Sequence, residues 1–229
     1  MHPLDRPFWT ALNTRQSHLA QWNEARTAVR IDPDYGPFAN AAPGHHAALA
    51  DLLTGPEDEI WLVEPEAVIV PGLTAKLTAP LVQMVSQTPP PATDFTGIVS
   101  LEESHADQMA ALAIATKPGP WGPKTRLYGQ FYGMFEGEKL IAMAGERARP
   151  GDGPGLNSWA EVSGVCTDPD HRGRGLARRL ILRVMADLAA RGDTAYLHSW
   201  AGNAAAIALY EQLGFAIRRP MVASVLALG

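Results

Sequence analysis

The sequence predicts an α/β (α+β) chain: a mixed, mostly antiparallel twisted sheet with helices on both faces, preceded by an N-terminal α/β extension. Three observations predict it. Strand-like and helix-like periods follow one another from Ile98 to the C-terminus. Within them, the β-branched run Val162–Thr167 stops at a Gly-rich turn and restarts as an amphipathic helix after Gly175. The run Pro89-Pro90-Pro91 reads as a stiff linker and divides the chain into 1–92 and 93–229.

The elements follow in order. Phe8, Leu12, Leu19 and Trp22 recur at roughly helical spacing and predict a first amphipathic helix. Pro33, Gly36, Pro37 and Pro43 make 32–43 a loop. A short helix over 47–53 stops at Gly55-Pro56, and Ile60–Val63, Val68–Val70 and Leu81–Val85 read as strands. No function is assigned to the first 90 residues; they suit a cover over a sheet edge, a subunit contact in a homodimer, or a degenerate copy of the second half. After the linker come a strand at 98–101, a helix at 104–116 and a Pro/Gly-rich loop at 117–124 carrying Trp121. A hairpin of 127–135 and 139–147 turns at Glu136-Gly137, and 149–155 is a flexible loop. Strand, loop and helix follow, then a strand at 194–200, a helix from Asn203 and a last strand from Phe215.

Bulk properties narrow the function. A net charge of −5 argues against a nucleic-acid surface, which needs clustered Lys and Arg. Cys166 is the single cysteine, which excludes internal disulfides and cysteine-based zinc sites, and His45-His46 lacks a further ligand, so no metal is expected. The N-terminus places Asp5, Arg6 and Arg15 among its apolar residues, unlike a signal peptide, and no apolar run is long enough to span a bilayer. A cytoplasmic protein without membrane partners is the expectation.

The loop Asp168-Pro-Asp-His-Arg-Gly-Arg-Gly-Leu-Ala177 carries the most chemistry. A strand that ends in such a turn and restarts as a helix aims free N–H groups and the positive helix end at one point, as a phosphate site requires. A nucleoside-triphosphate loop would need Gly-Lys-Ser/Thr, which is absent. A dinucleotide fingerprint would need Gly or Ala where Arg178 stands. Arg-x-x-Gly-x-Ala, read as Arg172, Gly175 and Ala177, fits instead.

Together with Glu161–Thr167 before it and Asn203-Ala-Ala-Ala-Ile-Ala-Leu-Tyr-Glu-Gln-Leu-Gly-Phe215 after it, this loop resembles the GNAT acyltransferase superfamily. Glu161–Thr167 and Leu197-His198 look most like the glycine N-acyltransferase-like branch. The resemblance implies a GNAT fold over 93–229, acetyl-CoA as co-substrate and a small-molecule or peptide amine as acceptor. It implies that Arg172, Gly173, Arg174, Gly175, Leu176 and Ala177 hold the CoA pyrophosphate. Val165, Cys166 and Thr167 would lie along the pantetheine arm, with the Val165 N–H on the thioester carbonyl, and Asn203 would cap its helix and touch the arm.

Tyr210 matches the family's general-acid position, since a phenol can protonate the departing thiolate. For the base, Glu161 shares a strand face with Val165 provided no bulge forms at Gly164, and His198 is the rival. Cys166 reads as an inert thiol rather than a nucleophile. Trp121, Tyr128 and His198 are the expected acceptor-lining residues. The resulting reading is a GNAT-type N-acetyltransferase acting by direct attack of a primary amine on the thioester. A catalytically silent acyl-CoA-binding regulatory module is the alternative; a nucleotide-binding oxidoreductase is disfavoured by Arg178.

Overall fold

The computed structural model of the chain describes residues 2–153 and 157–229. Elements in chain order are α1 (Pro7–Asn13), β1 (Ala20–Trp22), β2 (Ala28–Ile31), β3 (Ala39–Ala41), β4 (Glu59–Glu64), β5 (Leu73–Ser86) and β6 (Val99–Leu101). There follow α2 (Ala106–Thr116), β7 (Phe131–Glu136), β8 (Lys139–Glu146), β9 (Trp159–Thr167), α3 (Leu176–Ala190), β10 (Thr194–Trp200), α4 (Ala204–Gln212) and β11 (Phe215–Leu228). No helix of the described residues is long and apolar enough to cross a membrane.

Eight strands form one sheet in the order β4-β11-β5-β10-β9-β8-β7-β6, and β1–β3 form a small second sheet. Among the described residues, β9 and β10 are the one pair of strands that run in parallel, as a strand–helix–strand crossover through α3 requires. On one face, Leu180, Ile181, Val184 and Leu188 of α3 pack on Ala160, Val162, Ala195 and Leu197. On the other, α2 packs through Met109 and Leu112 on Phe131, Met143 and Cys166. Beside α2, the N-terminal layer sets Phe8, Val29, Ile31 and Phe38 against Val63, Leu81 and Ala223.

The expected division at 92/93 falls inside this sheet. Strands β4 and β5 precede Pro89, yet β5 is inserted between β10 and β11 and pairs with both. A proline run reports local stiffness, whereas these pairings join residues more than a hundred positions apart. Further ties fasten the N-terminal segment down: Arg15 to the buried Asp193 at 2.6 Å, and Gln83 Nε2 to the Leu4 carbonyl at 2.8 Å.

Other elements differ locally. The first helix ends at Asn13, and Trp22 belongs to β1. Val68–Val70 forms no strand: Val70 turns into the core while Ile69 stands 92% exposed. Strand β5 begins at Leu73 rather than Leu81, because its polar first half is held by β11 alone. The segment 127–130 is outside the hairpin, since 125–127 is a 3-10 turn. The loop expected at 149–155 lies partly outside the described residues.

A buried ion pair anchors the extension. Arg6 meets Glu64 at 2.7 Å and also donates to the Ala41 carbonyl at 2.7 Å, while Asn40 donates to the same carboxylate. Removing one member leaves the other charge buried and unpaired. Glu64→Leu should therefore cost about 3–5 kcal/mol in urea unfolding. Adding Arg6→Met should recover much of that loss, because it removes the stranded charge.

Candidate active site

Strand β9 carries the first decisive irregularity. Met143 pairs with Cys166 and Gly145 with Ser163, so Gly164 and Val165 together face the single residue Ala144. Gly164 has φ +61°, and a Cβ there would come within 2.7 Å of the Phe131 ring. Glycine is needed for both reasons. The bulge reverses the alternation beyond it, so Val165 packs with Val162 on the α3 face. Glu161 points to the opposite face. The condition for a shared Glu161–Val165 face is therefore not met.

The loop after β9 is built for its backbone. The Asp168 side chain accepts from the Asp170 amide, closing a 3-10 turn over Pro169–His171. Gly173 and Gly175 then take φ +75° and +73° with open space beyond their Cα atoms, so conformation and not crowding calls for glycine. Gly175 is the N-cap of α3. Among the described residues, the amides from Gly173 to Arg178 have no acceptor within the chain. Ion pairs hold the outside of the loop: Lys139 to Asp168 at 2.7 Å, and both His171 and Arg174 to Glu136 at 3.0 Å. Arg174 is thus occupied, whereas Arg172 is exposed at the loop's inner lip. Leu176 is buried under α3 and contributes its amide only.

Asn203 accepts from the Ala206 amide at 3.2 Å and caps α4. On that helix Tyr210 packs edge-on to Phe215 and lines a cavity; burial pushes its phenol above the ordinary range, so it is protonated at neutral pH.

The cavity, of about 570 Å³, passes between β9 and β10. Its walls include Val165, Thr167, Arg172, Gly173, Ala177, Asn203 and Tyr210 toward α3 and α4, with Cys166 on the α2 face. Toward the N-terminal layer they include His198, Arg147, Phe38 and Trp61. The hydroxyl of Thr167 is buried without a partner among the described residues. The Cys166 thiol is pushed by burial up to about 11 and is inert at neutral pH.

Beneath the opening, Glu161 is fully buried between Arg147 and His198. Arg147 donates Nε to Oε2 at 2.9 Å and Nη2 to Oε1 at 2.8 Å, and His198 Nδ1 lies 2.8 Å from Oε1. Since a carboxylate only accepts, that contact makes Nδ1 the protonated nitrogen and leaves Nε2 to accept from Gln83 at 3.1 Å. Burial alone would raise the Glu161 carboxyl; the charge and hydrogen bonds of Arg147 and His198 outweigh it and hold it at about 2. Glu161 does not reach the cavity.

Of the expected acceptor-lining residues, His198 lines the cavity and Trp121 and Tyr128 do not. Trp121 stands edge-on to Phe131 beside the bulge, and Tyr128 is buried edge-on to Tyr35. Phe38, Trp61 and Arg147 take their place, and nothing in their local sequence marks them.

Residues 131–222 match the family model described as FR47-like protein. A putative acetyltransferase from the GNAT family of Novosphingobium aromaticivorans, known as a crystal structure, is 53% identical, with all of both chains covered and a TM-score of 0.94. The chain belongs to the GNAT acetyltransferase family. The [ribosomal protein bS18]-alanine N-acetyltransferase of Salmonella typhimurium is 47% identical over 57 residues, 24% of this chain and 38% of that enzyme. The N-alpha-acetyltransferase RimI of Mycobacterium tuberculosis is 34% identical over 126 residues, 52% of this chain and 77% of its own. This GNAT chain thus spans well under half of the first of these enzymes and most of the second.

The depressed Glu161 carboxyl makes a pH prediction. Its stabilising contribution is present above the unfolded value near 4.5 and is lost as pH falls toward about 2. Urea midpoints should fall through that window. Glu161→Gln should flatten the fall and cost about 3–5 kcal/mol at pH 7, where Arg147 is left unpaired.

Proposed function

We propose that this GNAT protein transfers acetyl from acetyl-CoA to a primary amine by direct attack on the thioester. The observation that carries the reading is the cavity through the sheet. It joins the free amides of Gly173–Arg178 and Tyr210 on one face to the Glu161-bound His198 on the other.

The residues suit the cofactor. Six consecutive amides without acceptors at a helix N-terminus match a pyrophosphate, with Arg172 adding charge. The orphaned Thr167 hydroxyl and the bulged Val165 offer polar contacts along the arm. Bound acetyl-CoA supplies the activated acyl group; the protein supplies orientation and proton transfer.

Tyr210, kept protonated by burial, is the proton donor to the departing thiolate. The base is His198. A carboxylate held at about 2 is too weak a base for an ammonium at neutral pH, and Glu161 is out of reach of the cavity. Glu161 is accordingly a positioning residue: it fixes the His198 tautomer and stabilises the imidazolium that forms. The Gln83 amide must yield the Nε2 lone pair when the amine arrives. The finer likeness to the glycine N-acyltransferase-like branch rests on Glu161–Thr167 and Leu197-His198 alone. The relative named as an N-alpha-acetyltransferase favours an α-amine acceptor.

A thiol-release assay with acetyl-CoA against a panel of amines tests the reading, and calorimetry with CoA tests binding separately. Tyr210→Phe should lower kcat by about 10²-fold and leave CoA affinity unchanged. Gly175→Val should instead weaken CoA binding on the order of tenfold, because a β-branched residue is strained at φ +73°. His198→Gln should lower kcat by about 10²-fold and leave calorimetric CoA affinity unchanged. No heat with CoA on folded protein would sink the proposal.

A further inference from the structure

The loop before α3 is tied to the β7–β8 hairpin by one imidazole placed between two carboxylates. His171 Nε2 lies 3.0 Å from Glu136 Oε2, and its Nδ1 lies 3.1 Å from Asp168 Oδ1. Glu136 and Lys139 are paired across the hairpin turn, so both reach the loop from one place. Lys139 meets Asp168 at 2.7 Å, and Arg174 meets Glu136 at 3.0 Å. Strand pairing between β8 and β9 ends at Ala142 with Thr167, and one further backbone bond joins the Asp168 amide to the Ile141 carbonyl. Beyond that point these side chains take over the hairpin's hold on the loop.

The two His171 contacts make a demand on its protonation. Hydrogen bonds from His171 and Arg174 hold the Glu136 carboxyl below its ordinary value, and those from Lys139 and His171 do the same for Asp168. Both are therefore ionised at neutral pH and can only accept. A neutral imidazole donates from one nitrogen and turns a lone pair toward the other carboxylate. Only the imidazolium satisfies both. The charged groups around it are Glu136 and Lys139 from the hairpin, with Asp168, Asp170 and Arg174 from its own loop. The bond to Glu136, then that to Asp168, raises the imidazole above its ordinary 6.5, and burial opposes them. The clasp is thus complete below about 6.5 and is lost as pH rises through the raised value.

We propose that His171 is a positioning residue for the diphosphate loop: as an imidazolium it clasps the loop to the β7–β8 turn, and losing its proton loosens the amides that meet the cofactor. The side chain does not line the cavity, so it acts through the loop that follows it, Arg172 to Arg178. CoA then binds more tightly to the protonated protein, and by reciprocity bound CoA holds the proton on His171. The proposal rests on the acetyl-CoA reading and adds a pH dependence to it.

Calorimetry of the full chain with CoA, and with 3′-dephospho-CoA to remove the ligand's own titrating phosphate, tests it at fixed ionic strength. Between about pH 6.5 and 8.5, Kd should rise by about threefold or more with both ligands. His171→Gln should bind at both pH values with roughly the weaker, high-pH affinity of the parent protein. Glu136→Ala, which leaves the imidazole in place, should weaken binding at the lower pH and flatten the profile. Were His171 acting on the cofactor through space, removing the Glu136 charge would tighten binding instead, and that result overturns the proposal. The His171 ring signal in NMR, assigned by its loss in His171→Gln, should titrate above 6.5 and move further up with CoA bound. If His171→Gln does not fold, His171 is assigned among the ring signals by the one that Glu136→Ala shifts down. A ring that titrates at or below 6.5, or a Kd that does not change with pH, overturns the proposal and leaves the N-acetyltransferase reading intact. No heat with CoA at any pH removes both.

Discussion

Strands β9 and β10 share three residue pairs, Trp159 with Thr194 through Glu161 with Tyr196, and then part. That parting is the constraint on which the site depends. Each strand is held away from the other by its far neighbour. On one side β8 keeps its hold on β9 across the bulge, as far as Ala142 with Thr167. On the other, β5 pairs with β10 as far as Leu81 with Trp200. The opening is thus held from both edges, and one of the two restraints comes from the N-terminal segment. The extension is part of the frame that keeps the sheet split, in addition to covering one of its faces.

Glu161 sits at the last pair before the opening, and its partners follow from that place. A buried ion pair is weak evidence for net stability, because desolvation offsets most of the Coulomb attraction. Its use here is orientation. Both oxygens are engaged, so the carboxylate fixes a guanidinium and an imidazole that line the same cavity. The stack of Arg147 on Phe38 adds a second restraint perpendicular to the first. The cavity wall toward the N-terminal layer is consequently rigid, while the wall at the loop before α3 is largely backbone.

How much of this was legible follows from range. The turn before α3 and α4 itself could be read because their determinants are local: Gly173 and Gly175 adopt backbone angles other residues resist, and Asn203 caps its helix by accepting from the amide three residues on. Gly164 signalled a bulge, but whether Glu161 then faced Val165 depended on pairing with β8, which no strand announces by itself. The insertion of β5 was invisible for a similar reason. Its first half, Leu73–Pro80, is mostly exposed and lacks the alternation of a half-buried strand. Trp121 and Tyr128 looked like lining residues as aromatics in a loop region, yet Phe131 and Tyr35 gave them packing partners. Phe38 and Trp61, also aromatic, became wall residues only through β3, β4 and β11 meeting, as the isolated bridge between them records.

Charge placement links the two ends of the cavity. The chain carries 24 acidic residues and a net charge of −5, yet the acids nearest the cavity are already engaged: Glu161 by Arg147, Glu136 and Asp168 by the loop's own cations. Among the described residues the wall itself is left with cations, neutral polar groups and apolar groups, and no carboxylate. On the proposed reading, such a surface favours the cofactor's diphosphate at the loop end. It acts on the nucleophile as well. Nearby positive charge and an apolar wall both disfavour an ammonium and lower the pKa of an amine held among them. On the proposed reading, the acceptor therefore sheds its proton more easily in the cavity than in water, and His198 has a stronger acid to deprotonate. A carboxylate free to line the same wall would oppose this by stabilising the ammonium, and the engagement of Glu161 by Arg147 prevents it.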